Sequence, residues 1–206
     1  AFNAAERAAG AQLPGARLVA AGFADLVGFT RLGEELRPEE LEIVADHLAD
    51  LTRETVCAPV RLVKTIGDAV MLVSTDTAAL VEAMLNLIDV VESDATMPQL
   101  RAGVAYGAAV SRAGDWYGSP INTASRVTAL ARPGTVVVTE SAHDDIGATD
   151  RLAWSYVGAR WLRGIPDAVR LYRARRSRLT HQHSTLPPPH RRRKPPAPQR
   201  PTSAAS

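Results

Sequence analysis

The chain is short of several things, and each shortage closes off a class of function. Cys57 is the single cysteine among 206 residues, so no internal disulfide can form, and no Cys/His group has the spacing of zinc ligands. No uninterrupted apolar run reaches the roughly 18 residues that a membrane-spanning helix needs. The N-terminus has neither a Met nor the layout of a signal peptide. These absences set the expectation of a reducing, cytoplasmic setting, and of a piece of a longer chain whose upstream regulatory domain is out of view. Acidic residues are missing from Arg175 to Ser206, where eight Lys and Arg stand alone. Without that stretch, sixteen basic residues face 22 acidic ones, so the net charge of +2 belongs to the tail. The tail has no interleaved aromatics and no groove-reading helix, and no specific nucleic-acid partner is expected.

What is present fits one ordinary domain. At 46 % hydrophobic residues, the chain is long enough to bury a core. Residues 1–16 read as a linker, 17–174 as the folded part, and 175–206 as a disordered Pro/Arg-rich tail that cannot bury enough surface to offset its ordering entropy. Arg17 to Val27 is a nearly continuous apolar strand interrupted by Asp25. A short helix is expected after Gly28, with Thr30 or a neighbour capping it. A second starts at Pro38, with Leu41, Val44, Leu48 and Leu51 at helical spacing and His47 on the polar face. Two apolar runs around Gly67 predict a hairpin carrying Lys64 inward and Asp68 outward. Ala78 to Val91 reads as a third helix, and Leu100 to Val110 as a strand in which Gly103 and Gly107 mark a bulge or a close backbone approach. Ser119 is a candidate cap for a helix beginning at Pro120, which puts Asn122 and Arg126 on one face. A strand over Thr135–Thr139, a brief helix with a solvated His143, and strands near Leu152–Val157 and Val169–Arg173 complete the pattern. This order predicts an α+β fold, with helices on one face of a mostly antiparallel sheet.

Taken singly, the charged residues have plain structural readings. Asp68 can be a turn aspartate, Lys64 a solvated edge lysine, Asn122 an early-turn residue and Arg126 a surface arginine. Together they suggest chemistry. If the first strand lies beside the hairpin, Asp25 and Asp68 converge, and two close carboxylates call for a cation between them. Hard oxygen donors in small number suit Mg²⁺ or Mn²⁺ completed by water and phosphate, and two such ions can assist in-line phosphoryl transfer. Lys64 and Asp115 match the acceptor and donor of an adenine edge and oppose the reverse pattern of guanine. Asn122 is suited to orienting a ribose, and Arg126 to neutralising charge that builds on a phosphate.

Three separated segments then carry a resemblance. Phe23-Ala24-Asp25-Leu26-Val27-Gly28-Phe29-Thr30, Lys64-Thr65-Ile66-Gly67-Asp68, and Asp115 with Asn122-x-x-x-Arg126 resemble the class III adenylate cyclase catalytic domain, most of all its soluble mycobacterial members. The resemblance implies the ferredoxin-like class III nucleotide cyclase fold and the conversion of ATP to cyclic AMP and pyrophosphate. It also implies a head-to-tail homodimer with a site at each interface. By that resemblance Asp25 and Asp68 hold two divalent metal ions, Lys64 and Asp115 select adenine, and Asn122 and Arg126 stabilise the transition state. One subunit gives Asp25 and Asp68, and the other gives the remaining four. Arg163 stands where a lysine commonly contacts the polyphosphate. It keeps the charge but changes the geometry, so altered nucleotide affinity is expected there. A catalytically silent nucleotide-binding or dimerisation module is the alternative, and the presence of all six positions stands against it. The polarity of Lys64 and Asp115 stands against a guanylate cyclase, and no Gly-Gly-Asp-Glu-Phe segment supports a diguanylate cyclase.

Overall fold

The computed structural model describes residues 15–177. Its organising strand is β1 (Ala16–Leu26), buried continuously from Val19 to Ala24 because it is covered on both sides. After it come α1 (Phe29–Glu35), α2 (Pro38–Thr55), β2 (Arg61–Ile66), β3 (Ala69–Ser74) and α3 (Thr77–Glu92). Then follow β4 (Leu100–Arg112), β5 (Asp115–Gly118), α4 (Ser119–Leu130), β6 (Val136–Thr139), α5 (Glu140–Ile146), β7 (Leu152–Arg160) and β8 (Val169–Arg176). The eight strands form one sheet in the order β2-β3-β1-β4-β6-β8-β7, with β5 paired to β4. Only the β4–β6 pair is parallel.

Side-chain alternation along β1 divides the core. Ala20 and Ala24 face a layer built with Leu48 of α2, Leu80, Met84 and Leu87 of α3, and Ala142 of α5. Ala21 and Phe23 face the other way, onto Ala124 of α4. Val127 of α4 packs on Val137 and Leu171 further along the same face. Helices therefore cover both faces, where the sequence pattern predicted one. The reason is Gly103 on β4. A Cβ there would stand 2.3 Å from the Thr128 nitrogen, so its absence lets α4 lie directly on the sheet. Gly107 makes only ordinary contact with Pro120.

Local chemistry explains the helix ends. The Asp76 carboxylate caps α3 by accepting from the Ala79 N–H at 2.9 Å. Full burial of Leu80, Met84 and Leu87 contributes about 1.5–3 kcal/mol per side chain. Pro38 opens α2, and the Glu40 carboxylate accepts from the Arg37 N–H at 2.9 Å. The expected Thr30 and Ser119 caps do not form. Glycines occupy both N-cap positions instead, Gly28 at φ 80° and Gly118 at φ 150°, conformations that suit a residue without Cβ. His143 also differs from expectation. It is half-buried and stacks on Tyr172, with 4.3 Å between ring centroids. His47 pairs with Asp94 at 2.8 Å from the polar side of α2. β8 continues through Arg176, two residues into the segment assigned to the tail. Residues 178–206 of that tail and most of the N-terminal linker lie outside the described residues.

Candidate active site

Two charged clusters stand on the sheet. The first forms where β1 ends beside the β2–β3 hairpin. Asp25 is the register partner of Ala69, and the Leu26 N–H donates to the Asp68 carbonyl at 3.2 Å, which sets the two aspartates side by side. Gly67, at φ 57°, makes the tight turn that presents Asp68. Burial pushes the Asp68 carboxyl above its usual range, and the neighbouring Asp25 charge pushes it further, while its own backbone N–H and Arg101 pull the other way.

Arg101 is the residue that sequence reasoning missed here. It is the direct register partner of Asp25 across β1 and β4. Its Nε and Nη2 donate to a single oxygen, Oδ2 of Asp25, at 2.9 and 2.6 Å. Its Nη1 donates to the Ala129 carbonyl at 3.2 Å, in the last turn of α4. No sequence motif marks it; only the strand register brings residues 76 positions apart into contact.

The second cluster lines a cavity of about 670 Å³ bounded by Lys64, Asp115, Trp116, Asn122, Arg126 and the loop residues around Ile165. The Lys64 ammonium donates to Asp115 Oδ2 at 2.5 Å, and the Trp116 N–H donates to Oδ1 at 2.8 Å. Those bonds, the Lys64 one foremost, hold the Asp115 carboxyl below its ordinary range. A register shift between Leu62 and Lys64 re-aims the lysine, as bulges do. Asp115 reaches it because Ala113 and Gly114 turn with φ of 51° and 83°, the two positive angles of a tight hairpin. Trp116 then packs with Val63 and Ile121 against the buried cluster around Met71. The strand β5 was not foreseen from the sequence, nor was it foreseen that the loop carrying Arg163 closes over Arg126. Asn122 and Arg126 project from α4 into the same cavity. The loop closes over Arg126, whose guanidinium stands 3.5 Å from where a Gly164 Cβ would be. Arg163 is exposed on this loop and is not among the lining residues.

The clusters stay separate within one chain: neither Asp25 nor Asp68 lines the cavity. Among the described residues no group of three or more His, Cys, Asp or Glu could hold a metal ion. The donor set at the first cluster is two carboxylates that repel each other, which suits a hard divalent cation whose other ligands come from water or phosphate. No helix among the described residues is long and apolar enough to cross a membrane.

A sheet with this connectivity is the fold of nucleotide cyclase catalytic domains. Residues 14–173 match the family model described as the adenylate and guanylate cyclase catalytic domain, and the chain belongs to that family. It is 56 % identical over 179 residues to a pH-sensitive adenylate cyclase of Mycobacterium tuberculosis, a match covering 85 % of this chain and 45 % of that protein. An adenylate cyclase of Streptomyces coelicolor is 42 % identical over 123 residues, covering 59 % of this chain and 32 % of that one. The chain thus spans less than half the length of these relatives. Among solved structures, the guanylate cyclase domain of a Catenaria anguillulae protein in complex with GTP superposes with a TM-score of 0.67 at 20 % identity, covering 78 % of this chain and 97 % of that one. An adenylyl cyclase from P. aeruginosa gives 0.65 at 20 % identity, covering 79 % and 96 %. Both share the fold.

Proposed function

We propose that this chain is the catalytic domain of an adenylate cyclase that converts ATP to 3′,5′-cyclic AMP and pyrophosphate at sites shared between two copies. The observation that carries the reading is the cavity in which the Lys64–Asp115 pair faces Asn122 and Arg126 while the two aspartates stand outside it. A head-to-tail homodimer would bring the Asp25–Asp68 cluster of one copy to the cavity of the other, forming two equivalent sites.

In the reaction the ribose 3′-hydroxyl gives up its proton to solvent water as its oxygen attacks the α-phosphorus. The bond to the bridging oxygen breaks, and pyrophosphate leaves with the electron pair. Lys64 donates to the ring acceptor of adenine, and Asp115 accepts from its exocyclic amine; guanine presents the opposite polarity. Asn122 orients the ribose, and Arg126 neutralises charge that builds on the phosphate. Asp25 and Asp68 would hold two divalent ions, Mg²⁺ or Mn²⁺, which supply activation of the attacking hydroxyl and charge relief for the leaving group. Arg163 contributes positive charge toward the polyphosphate. We further assign the domain to a longer, regulated cytoplasmic protein, in keeping with relatives of more than twice the matched length.

Cyclic-nucleotide formation from ATP and from GTP with Mn²⁺, at several protein concentrations, tests this. ATP turnover whose specific activity rises with concentration is expected. Asp25→Asn and Arg126→Ala, each inactive alone, should recover about a quarter of wild-type activity when mixed, since half the dimers are then mixed and one site in each is intact. Mixing without recovery would refute shared sites. Nucleotide binding with no turnover at any concentration would make the chain a silent binding module.

A further inference from the structure

We infer that Arg101 is a resident counter-cation of the carboxylate cluster that competes with an incoming metal for Oδ2 of Asp25, and that it thereby lowers the metal affinity of this domain. The inference rests on Asp25 and Asp68 being the metal ligands. Arg101 spends two of its donors on one oxygen of Asp25, and those bonds occupy the oxygen's lone pairs. Its third nitrogen is tied to the Ala129 carbonyl, a group at the helix end that has no partner of its own inside the helix. The guanidinium is therefore held at three points rather than resting on the surface, and its side chain is 28 % exposed.

A divalent ion cannot coordinate that Asp25 oxygen while both arginine bonds stand. It would also meet a like charge within a few ångström. The protein thus carries its own competitor. Metal alone binds weakly, and the balance tips only when the ion arrives with compensating negative charge. An arginine suits this use because it keeps its proton at any working pH and fixes its donors in a plane.

The test is Mn²⁺ binding without nucleotide, followed by the electron paramagnetic resonance signal of free Mn²⁺, on wild type, Arg101→Met, Arg101→Lys and Asp25→Asn. Arg101→Met should bind Mn²⁺ about tenfold more tightly than wild type, and Arg101→Lys should fall between them. Added Mn²⁺ should also raise the melting temperature of Arg101→Met by more than that of wild type. Asp25→Asn should lose the binding. If it does and the arginine variants bind Mn²⁺ no more tightly than wild type, the counter-cation role is wrong while the metal assignment stands. If Asp25→Asn binds Mn²⁺ like wild type, the metal assignment fails and takes this inference with it. Should Arg101→Met not fold, Arg101→Lys decides alone: tighter binding supports the role, and equal or weaker binding overturns it.

Discussion

The carboxylate cluster and the cavity cluster each gather charge on a sheet, yet they balance it in different ways. At the cavity, Lys64 and Asp115 carry opposite charges and satisfy each other at 2.5 Å; they come ready-paired and present a polar edge. At the other cluster, Asp25 and Asp68 carry the same charge, and a third residue, Arg101, offsets it. Under the proposed reading the cavity would recognise a neutral ring by pattern, and the carboxylate cluster a cation by deficit. This difference teaches that a site split between two surfaces can be stable on both before substrate arrives, provided each half is balanced within its own chain.

The sharpest way to break the comparison is to remove charge on one side and watch the other. Arg126→Ala should lower cyclic AMP formation by about 10²–10³-fold and leave Mn²⁺ affinity at Asp25 and Asp68 untouched. A parallel loss of metal binding would mean the clusters are not separable within the chain. Lys64→Met should reduce kcat/KM for ATP by about 10–100-fold, the cost of leaving a base-reading group without its partner. Its melting temperature should hardly move, because a pair with 40 % of the lysine side chain exposed contributes under about 1 kcal/mol.

Gly103→Ala probes what holds the halves in register. The added methyl would meet the Thr128 backbone nitrogen and the Ala124 carbonyl, so a loss of about 1–3 kcal/mol in chemical denaturation is expected. Unchanged stability would show that α4 can ride off the sheet freely.

The smallest effect concerns pH. The Asp68 carboxyl is raised above 3.8 by burial first and then by Asp25, so the folded state holds that proton more tightly than the unfolded chain. Its contribution to stability is full below pH 3.8 and is lost as pH rises through the elevated value. Asp68→Asn, with no charge to bury, should flatten the stability curve over that window and make the metal-free protein slightly more stable at neutral pH. The Asp94 carboxyl runs the other way. Hydrogen bonds from Thr96 foremost, then from His47, lower it from 3.8 to about 2, so its contribution is present above pH 3.8 and is lost toward pH 2. Asp94→Asn should flatten only that acid limb, read by thermal melts across the two ranges.

The candidate site was legible where its residues are neighbours in sequence. Lys64 and Asp68 share one hairpin, Asn122 and Arg126 share one helix turn, and an aspartate inside an apolar strand stands out without any coordinates. What escaped is set by distance in sequence. Arg101 follows Leu100 at the start of an ordinary strand, and only the β1–β4 register reveals its partner. β5 escaped because four residues, the last of them Gly118, carry no alternation long enough to announce a strand. The expectation of helices on one face failed because β1 is apolar on both sides, and a continuous apolar run does not say which layer covers it. His143 was read as solvated because its aromatic neighbours, Trp154 and Tyr172, belong to later strands.

One helix touches both clusters. The early turns of α4 carry Asn122 and Arg126 into the cavity, and a carbonyl of its last turn, that of Ala129, holds Arg101. Twelve residues of helix make a strut about 18 Å long, stiff enough to carry a push from end to end. In the head-to-tail dimer proposed above, those two ends would belong to different active sites, and the helix would be a mechanical link between them.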